Sequence, residues 1–154
     1  MRDAVVARWG DDVAPGGVVD RARVAARAFA TPEERAWLEQ LLWPRVGERL
    51  LRWKAEQEAR VPPPRALVVE VPLLFESGLD RGYDATIAVV ADETVRSRRA
   101  AARGHAAVDE RTARQLSQED KAARADHVVD NTRSVRDLEQ TLSALLVTLE
   151  AEAR

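Results

Sequence analysis

The stretch "ALVVEVPLLFESGLDRGYD", residues 66–84, decides how this chain is read. Ala66, Leu67, Val68, Val69 and Val71 form an apolar run rich in β-branched residues, the composition of a buried strand. One carboxylate, Glu70, interrupts it near its end. Pro72, Leu73, Leu74 and Phe75 follow, then a second carboxylate, Glu76, and the turn residues Ser77 and Gly78. A plain core strand has no use for Glu70, so the question is what that charge is there to touch.

Working outward, two further apolar runs stand downstream, "ATIAVVA" at 85–91 and "HVVD" at 127–130. Between them Asp92 is placed to cap the helix "ETVRSRRAAAR", and a basic, polar helical stretch occupies 107–125. After a turn at 131–134, an amphipathic helix reaches to about Leu149. Strands alternating with helices predict an α/β fold: a parallel sheet with helices on both faces and strands near 66–71, 85–91 and 127–130.

Upstream the pattern is helical. A short helix at 4–9 stops at Gly10, "APGG" at 14–17 reads as a loop, and Asp20 caps a helix to about Phe29. In "ATPEERAWLEQLLWPRVGERLLRWKAEQEAR", Thr31 is the N-cap, Pro32 takes the first helical position and Glu34 is placed to close a capping box. Leu38, Leu41, Leu42, Val46 and Leu50 share one face. Pro44 is expected to kink or split this helix. "VPPPR" at 61–65 is a stiff connector into the first strand. The four tryptophans, Trp9, Trp37, Trp43 and Trp53, sit in or near helices and read as packing residues.

Composition narrows the function. With 154 residues, 45% hydrophobic and 32% charged, the chain is the size of one ordinary domain. A net charge of −2 argues against a nucleic-acid partner, which favours a basic excess. No apolar run approaches the roughly 18 residues that span a bilayer, so no membrane partner is expected. With no cysteine and only two histidines, disulfides and thiolate sites are excluded and a zinc site is not expected. The expected setting is the cytoplasm.

In parallel α/β sheets, ligands bind beyond the carboxyl ends of the strands. Glu70, the "PLLFE" segment, Asp92, Asp130 and Asn131 all fall at such ends. Glu70 is therefore placed for a site, although an edge-strand charge or a helix cap is the plainer alternative.

At this point the sequence resembles the dephospho-coenzyme A kinase family, P-loop kinases of the nucleoside-monophosphate-kinase type. "VVEVPLLFESGL" is similar to the family's third strand and the substrate-facing segment behind it. "RRAAARG", with Arg99 and Arg103, resembles the entry to the lid. "RTARQLSQEDKAARADHVVDN" matches the next stretch in spacing, from Arg111 through Gln115 and Lys121 to Asp130 and Asn131. Upstream, "ARWGDDV" and "GGVVDRARVAARAFATPEERAWLEQLLWP" resemble the region between the second and third strands. The resemblance implies a truncated kinase domain, with a helical substrate-side insertion at about 1–60 and a lid at about 96–125.

Two departures stand out. Trp43 precedes Pro44 where the family usually has histidine. The family also opens with a strand, a P-loop and an Asp-x-Asp element, and no G-x-x-x-x-G-K-[ST] occurs anywhere in these residues. A P-loop cradles the β-phosphate with backbone N–H groups and supplies a lysine and a magnesium-binding hydroxyl. The expectation is a truncated or mis-started reading of such a kinase, inactive as it stands, with N-terminal strands and P-loop missing and a gap in mid-sheet.

The resemblance implies ATP and dephospho-coenzyme A as partners, Mg²⁺ as cofactor, and phosphorylation of the ribose 3′-hydroxyl. It assigns Glu70 a catalytic role and places Arg99, Arg103, Arg111 and Asn131 on the nucleotide. Leu73, Leu74, Phe75 and Glu76 fall to the coenzyme A side. The plainer alternatives are a solvated basic helix face for the arginines, core for the leucines, an Asx turn for Asn131 and a helix-start charge for Glu76. Two other functions compete: a non-catalytic remnant or half of a split protein, and another nucleotide kinase of this fold type. "PLLFE" and the block from Arg111 to Asn131 disfavour the latter.

Overall fold

The computed structural model describes residues 1–102 and 115–152. Arg103, Arg111 and the stretch 107–114 of the expected basic helix lie outside the described residues. The chain divides into two compact units, Met1–Leu67 and Val68–Arg154.

The first unit is helical: α1 (Arg2–Trp9), two 3₁₀ turns at Asp11–Val13 and Pro15–Gly17, α2 (Arg21–Ala28) and α3 (Pro32–Glu58). Its small core is Val5, Val13, Ala14 and Ala28. Gly10 ends α1 at φ 89°, a backbone that side-chain-bearing residues avoid. Asp20 caps α2 as expected, accepting from the N–H groups of Ala22 and Arg23 at 2.9 and 3.1 Å.

The start of α3 departs from the expectation in an informative way. Thr31 accepts from the Glu34 N–H at 3.2 Å, so the cap forms. The Glu34 side chain is spent elsewhere. It takes two bonds from Arg8, at 3.0 and 2.8 Å, and one from the Trp9 indole at 2.7 Å. Trp9 meets Trp37 edge-on at 5.0 Å, and Arg8 lies 5.5 Å from the Trp37 ring centre. One carboxylate therefore ties α1 to α3, and these two tryptophans are packing residues. Pro44 does not split α3, which runs from Pro32 to Glu58 as one element. The Arg45 guanidinium donates to the Leu41 carbonyl at 2.5 Å, beside the position where proline removes a backbone donor.

The second unit holds a parallel two-stranded sheet, β1 (Ile87–Val90) and β2 (His127–Asp130), in register from Ile87 opposite His127 to Val90 opposite Asp130. The elements α4 (Glu93–Ala102) and α5 (Gln118–Arg124) lie in the connection, and α6 (Val135–Glu152) follows β2. Helix α5 packs on β1 and α6 on β2. Ala88 and Val129 are buried, and they are not register partners. Because partners share a face, these burials lie on opposite faces, so helices cover both sides, as the α/β reading expects.

The expected strand at 66–71 is corrected. It joins no ladder, and the sheet has two strands among the described residues. A strand exists only when a neighbour pairs with it, and the composition of 66–71 does not supply one. Val68 is accordingly 78% exposed.

The Glu34 tie has a pH signature. Hydrogen bonds from Arg8 and then Trp9 hold the Glu34 carboxyl below its usual 4.5, against the smaller opposing effect of burial. A depressed carboxyl contributes stability that is present above the unfolded value and lost as pH falls through the folded one. Glu34→Gln is expected to lower Tm at pH 7. The gap to the parent protein should close as pH drops below about 4.5. Thermal melts from pH 7 to 3 check this, and a pH-independent gap refutes it.

Candidate active site at the carboxyl ends of the strands

A parallel pair brings both carboxyl ends to one edge of the sheet. An open groove of about 790 Å³ lies there, with Asp92, Asp130 and Thr132 on one wall and Gln115, Gln118 and Lys121 on the other. The strand-end wall is closely bonded. Asn131 N–H donates to the Val90 carbonyl at 2.7 Å, carrying the ladder one step past β2. Thr132 N–H donates to Asp130 at 2.8 Å, and the Asp92 N–H donates to the Thr132 hydroxyl at 3.1 Å. Bonds from Thr132 hold the Asp130 carboxyl below its ordinary value.

Arg99 lies at this wall from behind. Its guanidinium donates to the Asn131 carbonyl at 2.6 Å and to the Arg133 carbonyl at 3.4 Å. It therefore fixes the loop after β2. The Asn131 carboxamide forms no hydrogen bond among the described residues, although its backbone is held on both sides.

The opposite wall is held by Gln118, Lys121 and Glu76, of which only Glu76 is among the expected site residues. Gln118 receives the Ala91 N–H at 3.0 Å and donates to the Ala91 carbonyl at 3.1 Å. Lys121 donates to the Pro72 carbonyl at 3.2 Å and to Gln115 at 3.4 Å, and lies 3.6 Å from Glu76. Glu76 also receives the Leu116 N–H at 2.7 Å. It is thus no helix-start charge but a half-buried bond acceptor. Burial pushes its carboxyl up, but the Leu116 N–H and Lys121 outweigh that and leave it below 4.5.

Glu70 is exposed and forms no ion pair or hydrogen bond among the described residues. Leu73, Leu74 and Phe75 are half-buried in the turn that follows, which closes by the Ser77 N–H on the Leu73 carbonyl at 3.1 Å. None of these four lines the groove. Arg103 and Arg111 lie outside the described residues. A second hollow, of about 450 Å³ beside Arg2, Asp11 and Gly17, belongs to the helical unit and contains none of the expected site residues.

Among known proteins, the family model "Dephospho-CoA kinase" matches residues 1–137. The chain belongs to the dephospho-CoA kinase family. It is 43% identical over 141 residues to a dephospho-CoA kinase of Deinococcus radiodurans, covering 90% of this chain and 67% of that protein. A dephospho-CoA kinase of Thermus thermophilus is 36% identical over 142 residues, covering 90% and 68%. The crystal structure of TT1252 from Thermus thermophilus superposes with a TM-score of 0.71 at 34% identity, over 96% of this chain and 82% of that one. Gln118 is not among the expected site residues, and its only local signal is a polar side chain directly after the N-cap Ser117. Among the described residues, no helix is long and apolar enough to cross a membrane.

The Arg99 contact is testable. Arg99→Met removes both donors from the 131–133 loop, and charged hydrogen bonds contribute about 1.5–3 kcal/mol each. With the 2.6 Å bond carrying most of the effect and the 3.4 Å contact little, urea unfolding should show a loss of about 1.5–3 kcal/mol, and amide exchange at Asn131 and Thr132 should speed up more than at Val129. Unchanged exchange in the loop would remove Arg99 from this role.

Proposed function

We propose that this chain carries the acceptor-side and lid-side parts of a kinase that moves the γ-phosphoryl group of ATP to the ribose 3′-hydroxyl of dephospho-coenzyme A. The observation that carries the reading is the family match over residues 1–137, joined to a groove at the strand ends. Phosphoryl transfer asks little covalent chemistry of a protein and relies on positioning and charge. In this reading Glu70 acts electrostatically at the acceptor side. Arg103 and Arg111 meet the phosphates, and Arg99 holds the loop that presents the Asn131 carboxamide to the nucleotide. Leu73, Leu74 and Phe75 form the apolar wall on the coenzyme A side, and Glu76 supports that wall from behind.

Among the described residues no group of three or more acidic, histidine or cysteine side chains could hold a metal ion. These 154 residues also contain no P-loop sequence, so the phosphate cradle is not among them. Mixed with Mg-ATP and dephospho-coenzyme A, the chain should form no coenzyme A, and calorimetry should show no submicromolar ATP binding. Submicromolar affinity would reveal a nucleotide site that needs no P-loop. Joined in frame behind a strand and P-loop segment of dephospho-CoA kinase type, the chain should turn over. Failure of that folded, joined protein on this acceptor refutes the function.

In the joined protein, Glu70→Gln should lower kcat at least tenfold, about 1.4 kcal/mol of barrier, with Tm nearly unchanged. If the variant unfolds while its folded fraction keeps full activity, Glu70 is structural.

A further inference from the structure

We propose that Glu76 and Lys121 form a positioning clasp that fixes residues 115–118, one wall of the groove, against the turn that follows Glu70. The inference deepens the kinase reading of this groove, but its geometry stands apart from any turnover.

Glu76 lies 45 residues before Lys121 in sequence, and their charged atoms stand 3.6 Å apart with side-chain exposures of only 15% and 24%. Lys121 spreads its charge over oxygens from two segments: the Pro72 carbonyl at 3.2 Å on one side and Gln115 at 3.4 Å on the other. Glu76 reaches the same way, taking the Leu116 N–H at 2.7 Å on the oxygen that faces Lys121. Both side chains thus join 72–76 to 115–121, and Gln115, Leu116, Gln118 and Lys121 all line the groove.

A packing role alone does not explain this choice of residues. The second carboxylate oxygen of Glu76 is buried with no hydrogen-bond partner, so its desolvation is not fully offset. Apolar replacements of buried ion pairs are often neutral or stabilising, so filling this space does not require two charges. What an apolar pair cannot do is orient the Leu116 N–H and the Gln115 side chain. Pro72 stands two residues after Glu70, so the same lysine sets the turn beside the proposed catalytic carboxylate. Glu76 is in this view a positioning residue and not a contact of the coenzyme A moiety.

The test uses the full chain and reads amide exchange by NMR, which needs no kinase activity. Glu76→Ala should speed exchange at Leu116 at least tenfold, while Val129 in β2 changes less than twofold. Glu76→Gln, whose amide oxygen still accepts, should retain most of the Leu116 protection. Lys121→Met should release Gln115, and Lys121→Arg, which keeps the donors, should restore it. Leu116 protection within twofold of the parent in Glu76→Ala overturns the proposal. So does an equal rise at Leu116 and Val129, which would mean a general loss of stability. Failure of the joined protein to phosphorylate dephospho-coenzyme A would instead refute the function and leave the clasp standing.

Discussion

The parallel pairing of β1 with β2 is the constraint from which the rest of Val68–Arg154 follows. Parallel neighbours cannot be joined by a hairpin, so the chain must cross over, and residues 91–126 do so. The crossover brings Asp92 and Asp130 to the same end of the sheet. The ladder is only four pairs long, and it is fixed at its entry by a reciprocal pair. Asp126 accepts from the Thr86 N–H and hydroxyl at 2.8 and 2.7 Å, while the Thr86 hydroxyl accepts from the Asp126 N–H at 3.1 Å. A slip of one residue would break these bonds and exchange buried Val129 for Val128, so the clamp and the core specify the same register.

The sheet is incompletely covered in a regular way. Ala88 is buried while its partner Val128 is 49% exposed, and Val129 is buried while its partner Val89 is 59% exposed. Each helix covers one strand on one face. The outer edge of β1 follows the same logic. Thr86 and Val90 offer their carbonyls to β2, so the alternating residues Ile87, Val89 and Ala91 direct their backbone groups to the opposite edge. At Ala91 the carboxamide of Gln118 takes both groups, acting as a one-residue substitute for a strand. An amide side chain is suited to this, since it presents a donor and an acceptor together.

What the sequence made legible was local. Thr31 and Asp20 cap their helices because an N-cap depends on a few neighbouring residues, and "HVVD" is β2 to the residue. Residues 66–71 looked like the strongest strand and form none, because pairing is not a property of a segment. Glu34 followed the capping-box pattern, yet Arg8 and Trp9, more than twenty residues away, bind it better. The same limit hid the site's second wall. Gln118 bonds to Ala91 and Glu76 to Leu116 across large sequence separations, and no spacing rule connects such residues. The family resemblance named Glu76 as a site residue, but its bond to Leu116 is not legible from spacing.

Glu70 and Glu76 stand six residues apart in one stretch and meet opposite fates, which answers the question their sequence raised. Glu76 is inside, bonded to a backbone N–H and paired with a lysine, so its charge is consumed in holding two segments together. Glu70 is outside, exposed and with no hydrogen bond or ion pair among the described residues. An exposed carboxylate keeps its hydration and costs no stability, which leaves it free to respond to whatever arrives. The lysine that grips Glu76 also grips the Pro72 carbonyl, just behind Glu70. Lys121 thus connects the half-buried glutamate to the turn that follows the exposed one. A stretch that reads as strand, turn and two charges thus holds, within six residues, one carboxylate bonded to a distant segment and one with no partner among the described residues.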